Sequence, residues 1–292
     1  MMQELLEALR LIRDHFADGF ASLLAIAVVA PWLGVLLVLR RLPLLALAVP
    51  QMAGCGQAAA FFAFALLWTV DQAQPEAPGR ALQMLGASAG VLVGLGALLW
   101  AGGDRRYLGA QAGILYLVAR GAQQLLYLES PYRHAFEHAA EQGHLLTVLA
   151  PGRNQVLATC AVLAAAAWAA HRRLWISAFD PDQARLIGIA PRRWFAGTLL
   201  LIGMLCGLCV PVVGAEVVLT LLLVPPTVLR ACTPSLRAFA PLSVVAGVLG
   251  SVAAFVLGCT RTLDWPPGPT LVLSVLAASL CCGAVARLFR TR

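Results

Sequence analysis

Lysine is absent from this sequence, and charge of any kind is scarce. All 21 basic residues are arginine, acidic residues number 14, and charged residues make up only 12% of the 292 positions. A soluble domain averages about 25% charged residues, so a water-soluble globule is excluded. A disordered chain is excluded too, because 60% of the residues are hydrophobic and mean hydropathy is +0.82. A secreted disulfide framework is missing as well: Cys55, Cys160, Cys206, Cys209, Cys281 and Cys282 lie inside apolar runs, where free cysteine behaves as a small hydrophobe. No GxxxxGK[ST] phosphate loop is present, so the sequence carries no P-loop nucleotide site. The net charge of +7 does not point to nucleic acid, since the arginines punctuate apolar runs and so bear on membrane orientation.

What is present is enough apolar sequence for eight or nine membrane spans of about 20 residues each. Nine segments are predicted, at 18–39, 43–70, 82–102, 107–128, 154–171, 194–212, 214–230, 236–258 and 268–288. The fold class is therefore an all-α, polytopic membrane protein. Residues 1–17 lack the layout of a cleavable signal peptide. Leu5, Leu6, Leu9, Ile12 and Phe16 recur at helical spacing, which predicts an amphipathic helix on the membrane surface ahead of one transmembrane domain at 18–292. Pro211, Pro225 and Pro226 interrupt segments six and seven; such breaks are tolerated where the freed backbone faces protein or a cavity. Gly86, Gly90, Gly94 and Gly96, and Gly247 with Gly250, suit close helix packing.

Alternate connections carry fourteen and six arginines, with Arg120 inside a span. The richer set, from Arg40 and Arg41 through Arg172, Arg173, Arg192 and Arg193 to Arg287, Arg290 and Arg292, is expected in the cytoplasm, with the C-terminus. The longest inward connection, 172–193, contains Phe179-Asp180-Pro181-Asp182-Gln183-Ala184-Arg185-Leu186-Ile187-Gly188-Ile189. Asp180 can cap a helix that has Pro181 in its first position. Asp182 favours the positive end of that helix, and Gly188 and Pro191 can stop it. A short capped helix at about 179–190 is predicted, with Ala184 and Gly188 four apart on a small-residue face that fits a partner's cleft.

This loop resembles the coupling helix of the zinc/manganese-type ABC transporter permease family. Four further stretches agree in order: "GVLLVLRRLPLL" from Gly34, "GHLLTV" from Gly143, "VGAEVVLTLLLVP" from Val213 and "DWPPGPTLVL" from Asp264. The resemblance covers nearly the whole chain. It implies a type II, vitamin B12 permease-like architecture, a second copy of the chain and a pore at the dimer axis. It also implies ABC ATPase subunits holding ATP and Mg on the inner face, a periplasmic solute-binding protein outside and a bacterial inner-membrane location. The chain itself would be a transport subunit and not an enzyme, with no bound cofactor of its own and zinc or manganese as its cargo. Asp180, Asp182, Ala184 and Gly188 would couple it to the ATPase.

One departure stands out. The family carries an aspartate and a histidine four apart on the second span as metal ligands. Here those positions fall on Leu47 and Gln51, with Pro50 where serine is usual. Leucine cannot ligate a cation, and glutamine offers only a neutral oxygen. Other polar groups are candidates for the pathway or gate. Arg120 and Glu216 are intramembrane charges, costly and functional by default, and could also pair. His134 and His138 share a helix face at i,i+4, with Glu137, Glu141 and His144 nearby, in an arrangement open to zinc recruitment or to a plain surface helix. Cys206 and Cys209 with Met204 offer soft sulfur. Gln51, Met52, Gln57, Gln111, Gln123 and Gln124 could line a neutral polar pathway or hydrogen-bond between helices. Besides the metal permease, three readings remain open: a permease of the same architecture for a metal chelate or other small solute, an ion-coupled secondary transporter using Glu216 and Arg120, and a membrane metallo-hydrolase using His134, His138 and Glu137.

Overall fold

Among the described residues, nine apolar runs become nine long helices. The computed structural model describes residues 16–67, 79–100, 107–130, 148–233, 235–259 and 267–288. The predicted surface helix falls almost wholly outside them, as do His134, Glu137, His138, Glu141 and His144. The long helices are α1 (Ala17–Leu39), α2 (Leu45–Leu67), α3 (Arg80–Trp100), α4 (Leu108–Leu128), α5 (Ala150–Phe179), α7 (Pro191–Val213), α8 (Ala215–Cys232), α9 (Leu236–Gly258) and α10 (Pro267–Leu288). A short helix, α6 (Pro181–Leu186), joins α5 to α7, and no strand occurs among the described residues.

Seven of the nine long helices are apolar enough to cross a membrane by length and composition. The other two, α4 and α5, are long enough but diluted, α4 by Arg120, Gln111, Gln123 and Gln124, α5 by alanine and by arginines near both ends. At 1.5 Å per residue α5 is about 45 Å long, some 15 Å more than the hydrocarbon layer. The sequence segment 154–171 captured its apolar part; the helix runs on to Phe179.

Contacts sort the helix ends to two ends of the bundle. At one end Arg153 Nη1 of α5 donates to Asp18 Oδ1 of α1 at 2.6 Å, and Glu216 of α8 lies against Gly268 of α10. At the other, Arg40 reaches α5 and α7, and Arg287 Nη2 donates to the Ala231 carbonyl at 3.3 Å. Chain direction alternates from each long helix to the next among the described residues.

The core is closed by helix pairs brought together at small residues. Helices α2 and α3 meet where Gly56 faces Gly86 and Gly90, so close that a Cβ on any of the three would collide with backbone. Another near-contact explains the prolines in α8. Pro226 has no N–H, so the Leu222 carbonyl loses its usual helical donor. Gly34 of α1 presses its backbone onto that carbonyl, and a Cβ there would collide with it and sit 2.9 Å from Pro226 Cγ. The freed backbone thus faces protein, as the bilayer demands, and α8 remains helical through Pro225 and Pro226.

Candidate coupling and cargo sites

Asp180 leaves α5 in an extended conformation and caps α6. Its Oδ1 accepts hydrogen bonds from the Asp182 and Gln183 backbone N–H groups at 3.0 and 2.9 Å. Pro181 occupies the first turn, where no donor is needed. Gly188 ends the helix at φ +77°. Its N–H reaches the Arg185 carbonyl at 3.1 Å, and the Ile189 N–H reaches the Ala184 carbonyl at 2.8 Å, the paired bonds of a left-handed helix stop. Both ends of α6 are therefore fixed by its own sequence, as expected from the spacing.

The expected small-residue face does not form. Ala184 is fully buried against the body, while Gly188 is exposed with open space around it. The reason is the stop itself: Gly188 lies beyond the last helical turn, so the i,i+4 relation that would align it with Ala184 no longer holds. What α6 presents instead is Asp182, Gln183, Arg185, Leu186 and Ile187, with Leu186 88% exposed. Sequence reasoning passed over Leu186 and Ile187. Two adjacent large apolar residues in a polar loop with no buried surface to meet were the available signal.

Beneath α6 one side chain ties three helices. Arg40 Nη2, at the end of α1, donates to Ser177 Oγ of α5 at 2.9 Å and to Thr198 Oγ1 of α7 at 3.5 Å. Its guanidinium lies 5.3 Å from the Phe195 ring centroid. Ser177 and Thr198 are oriented in turn by donating to the Leu174 and Trp194 carbonyls. Since α5 and α7 bracket α6, Arg40 joins both arms of that bracket to α1. Arg41 follows at φ +62°, an unfavourable conformation for a side-chain-bearing residue, and the chain turns there into α2. A cavity of about 540 Å³ opens beside this node, lined in part by Arg41, Leu108, Phe179 and Pro181.

The candidate cargo residues fall on α2, α4 and α8. Leu47 and Gln51 lie on α2, whose Gln51–Gly54–Ala58–Phe61 face packs on α4. Gln123 of α4 lays its carboxamide against Gly54, and Tyr127 joins Ala58 and Phe61. Gln51 is 5% and Gln123 1% exposed, and the side-chain oxygens of Gln51, Gln111 and Gln123 are buried without a hydrogen-bond partner among the described residues. Gln57 is buried and Gln124 exposed. Met52 fills the space over Gly94 of α3 instead of joining a polar lane. Arg120 is half-buried on α4, while Glu216 is half-buried in the first turn of α8. Helix α4 packs on α2 and edges α3, and α8 packs on α10, α1, α2 and α9, so the helices of the two charges share α2 as a neighbour.

Cys206 and Cys209 are buried on α7, as is Cys160 on α5. Met204 is exposed, so the expected sulfur trio does not share one environment. Among the described residues no three His, Cys, Asp or Glu side chains are grouped so as to hold a metal ion.

Comparison with known proteins agrees with this architecture. The solved structure of PsaBC from Streptococcus pneumoniae in complex with Fab is similar at a TM-score of 0.75 and 18% identity, covering 97% of this chain and 95% of that one. A transporter described as metal-chelate type, in an inward-facing conformation, matches at a TM-score of 0.67 and 16% identity over 94% of this chain and 87% of its own. At these identities the likeness speaks for the fold. No curated protein matches the sequence. Residues 142–286, which include α5 through nearly all of α10, match the ABC 3 transport family, and the chain belongs to that family of metal ABC transporter permeases.

Proposed function

We propose that this chain is the membrane subunit of an importer for a divalent metal ion, zinc or manganese, driven by a separate ABC ATPase that grips α6. The observation that carries this reading is the build of α6: capped and stopped by its own residues, set between the ends of α5 and α7, and leaving Leu186 and Ile187 exposed. An exposed apolar pair on a rigid protrusion suits a partner's cleft. In this reading the Arg40 end, with α6, faces the cytoplasm, the C-terminus lies on that side, and a solute-binding protein delivers cargo at the Asp18 end. The arginine distribution supports that orientation. Two copies would form the pore, which accords with the large apolar side chains left exposed on α3 and α4, such as Leu92, Val93, Leu117 and Leu125.

Transport follows from alternation. ATP binding closes the ATPase pair and displaces α6. The bracket of α5 and α7 moves with it, and Arg40 passes that movement to α1 and so to α8 and α9, which pack on α1. The described spans hold no buried carboxylate or imidazole, and the neutral oxygens of Gln51 and Gln123 are the polar groups on the α2–α4 face. The test is radioactive zinc and manganese uptake into proteoliposomes holding the chain, its ATPase and its binding protein. ATP-dependent accumulation of either ion supports the reading. An absence of uptake for every divalent ion, with the ATPase assembled and active, removes it.

A further inference from the structure

Four arginines stand at one level of the bundle without a carboxylate. Arg172 and Arg173 lie on α5 and Arg192 and Arg193 in the first turn of α7, and none forms an ion pair among the described residues. The nearest acid on α6, Asp182, is already engaged by Arg185 at 3.1 Å. Their height is set by helix geometry. From Arg153, paired with Asp18 at the opposite end, the rise along α5 to Arg173 is about 30 Å, one hydrocarbon thickness. From Arg193 to the end of α7 the rise is again about 30 Å. Helix α5 then climbs about 9 Å further before α6 begins. The arginines therefore lie at the headgroup layer, and α6 lies beyond it.

Between α5, α7 and the loop after α6 is an open pocket of about 680 Å³, lined by Arg173, Arg193, Trp194, Gly197 and the Ile187–Ala190 loop. Arg173 stacks over Trp194, its guanidinium 5.6 Å from the ring centroid, and the backbone at the start of α7 adds unsatisfied N–H groups. Toward the membrane interior, helical spacing continues the Arg173 and Arg193 faces into side chains left exposed on the same two helices, Val162 on α5 and Leu200 and Met204 on α7. Trp168 is 82% exposed, and an indole at this depth suits the interface.

We propose that the Arg173–Arg193–Trp194 pocket binds the phosphate headgroup of an anionic phospholipid, with the acyl chains lying along the exposed groove between α5 and α7. Guanidinium groups and helix N–H groups converge on phosphate geometry. The apolar lane below distinguishes a lipid from free phosphate. A lipid seated there would brace the α5–α7 bracket directly under α6. This site depends on the membrane setting and not on the identity of the cargo.

The experiment uses the full chain in nanodiscs of phosphatidylcholine with phosphatidylglycerol. Native mass spectrometry counts the phosphatidylglycerol retained after exchange into detergent. Wild-type protein is expected to retain it, with and without inorganic phosphate present. Arg173→Gln with Arg193→Gln is expected to weaken retention about thirtyfold, at the usual contribution of a basic residue near an anionic surface. Arg173→Lys with Arg193→Lys should retain an intermediate amount. Arg172→Gln with Arg192→Gln, at the same level outside the pocket, should keep it. Equal loss in both glutamine pairs would reduce the site to diffuse charge. Displacement by inorganic phosphate at the same concentration would make it a free-anion site. Normal lipid retention with loss of ATPase binding in Arg173→Gln/Arg193→Gln would make it a protein-docking surface. Any of these three, or no retention by wild type, overturns the proposal.

Discussion

The α6 region and the α2–α4 face treat their polar groups in opposite ways. Around α6 the groups that fix the chain reversal have partners: Asp180 caps, Gly188 and Ile189 close the helix end, and Arg40 Nη2 is shared between Ser177 and Thr198. On the α2–α4 face the amide oxygens of Gln51 and Gln123 are buried with none. A buried carbonyl oxygen left unmatched costs about 1–3 kcal/mol, so its persistence calls for an occupant such as water or cargo. The contrast separates two jobs within one fold. The part that would receive force is rigid by construction. The part that would meet cargo has polar capacity to spare and lacks the charged ligands that the family resemblance leads one to expect at Leu47 and Gln51.

The comparison breaks most sharply at Gly188. Gly188→Trp places a bulky side chain at φ +77°, an unfavourable conformation by about 1–2 kcal/mol, and fills the open space beside α6. ATP-coupled uptake is expected to fall to background while the protein still assembles, as read by size-exclusion chromatography beside the uptake assay. Normal uptake would mean that this side of α6 is free in the working complex. Next in size is Arg40→Met, which keeps the stem but removes the bonds to Ser177 and Thr198. The loss of a charged hydrogen bond amounts to about 1.5–3 kcal/mol. ATPase binding and hydrolysis should persist while metal moved per ATP drops. A parallel fall in both quantities would make Arg40 a structural brace only.

On the cargo side, Gln51→Leu removes an unmatched oxygen from a packed interface. Thermal stability should stay level or rise, whereas uptake should fall severalfold if that oxygen meets the cargo. Unchanged uptake would move the pathway off this face. Introducing Leu47→Asp with Gln51→His should sharpen the contrast further by tightening divalent-ion binding, measured by isothermal titration, since carboxylate and imidazole are far stronger ligands than an amide. The smallest effect is expected for Glu216→Leu. Its carboxylate favours the positive end of α8 by about 0.3–1 kcal/mol, and uptake should change little; loss of transport with intact expression would assign Glu216 to the pathway.

The fold was legible because its signals are local. Apolar runs of span length mapped onto nine helices, and Asp180, Pro181 and Gly188 announced both ends of α6 through residue types whose backbone preferences need no tertiary context. Less could be read of the sites. That Ala184 turns inward while Leu186 faces water depends on where α6 rests on α5 and α7, and no periodicity in six residues reveals it. The Arg40 node joins residues more than 130 positions apart, as does the pairing of Asp18 with Arg153. Gly34 was visible as part of a motif, yet its purpose lies in a carbonyl of α8 orphaned by Pro226. Likewise Met204 and Cys209 are close in sequence, yet Met204 is exposed and Cys209 is buried. The histidines at 134, 138 and 144 lie outside the described residues.

One measurement bears most directly on the claim that α6 receives force from another chain. Proteoliposomes are prepared with this protein and its binding protein, with and without the cognate ABC ATPase, and divalent-metal accumulation is followed after ATP is supplied on the α6 side. Sustained uptake only when the ATPase is present, abolished by Gly188→Trp, is the expected result. Sustained accumulation by the protein without any ATPase would contradict it.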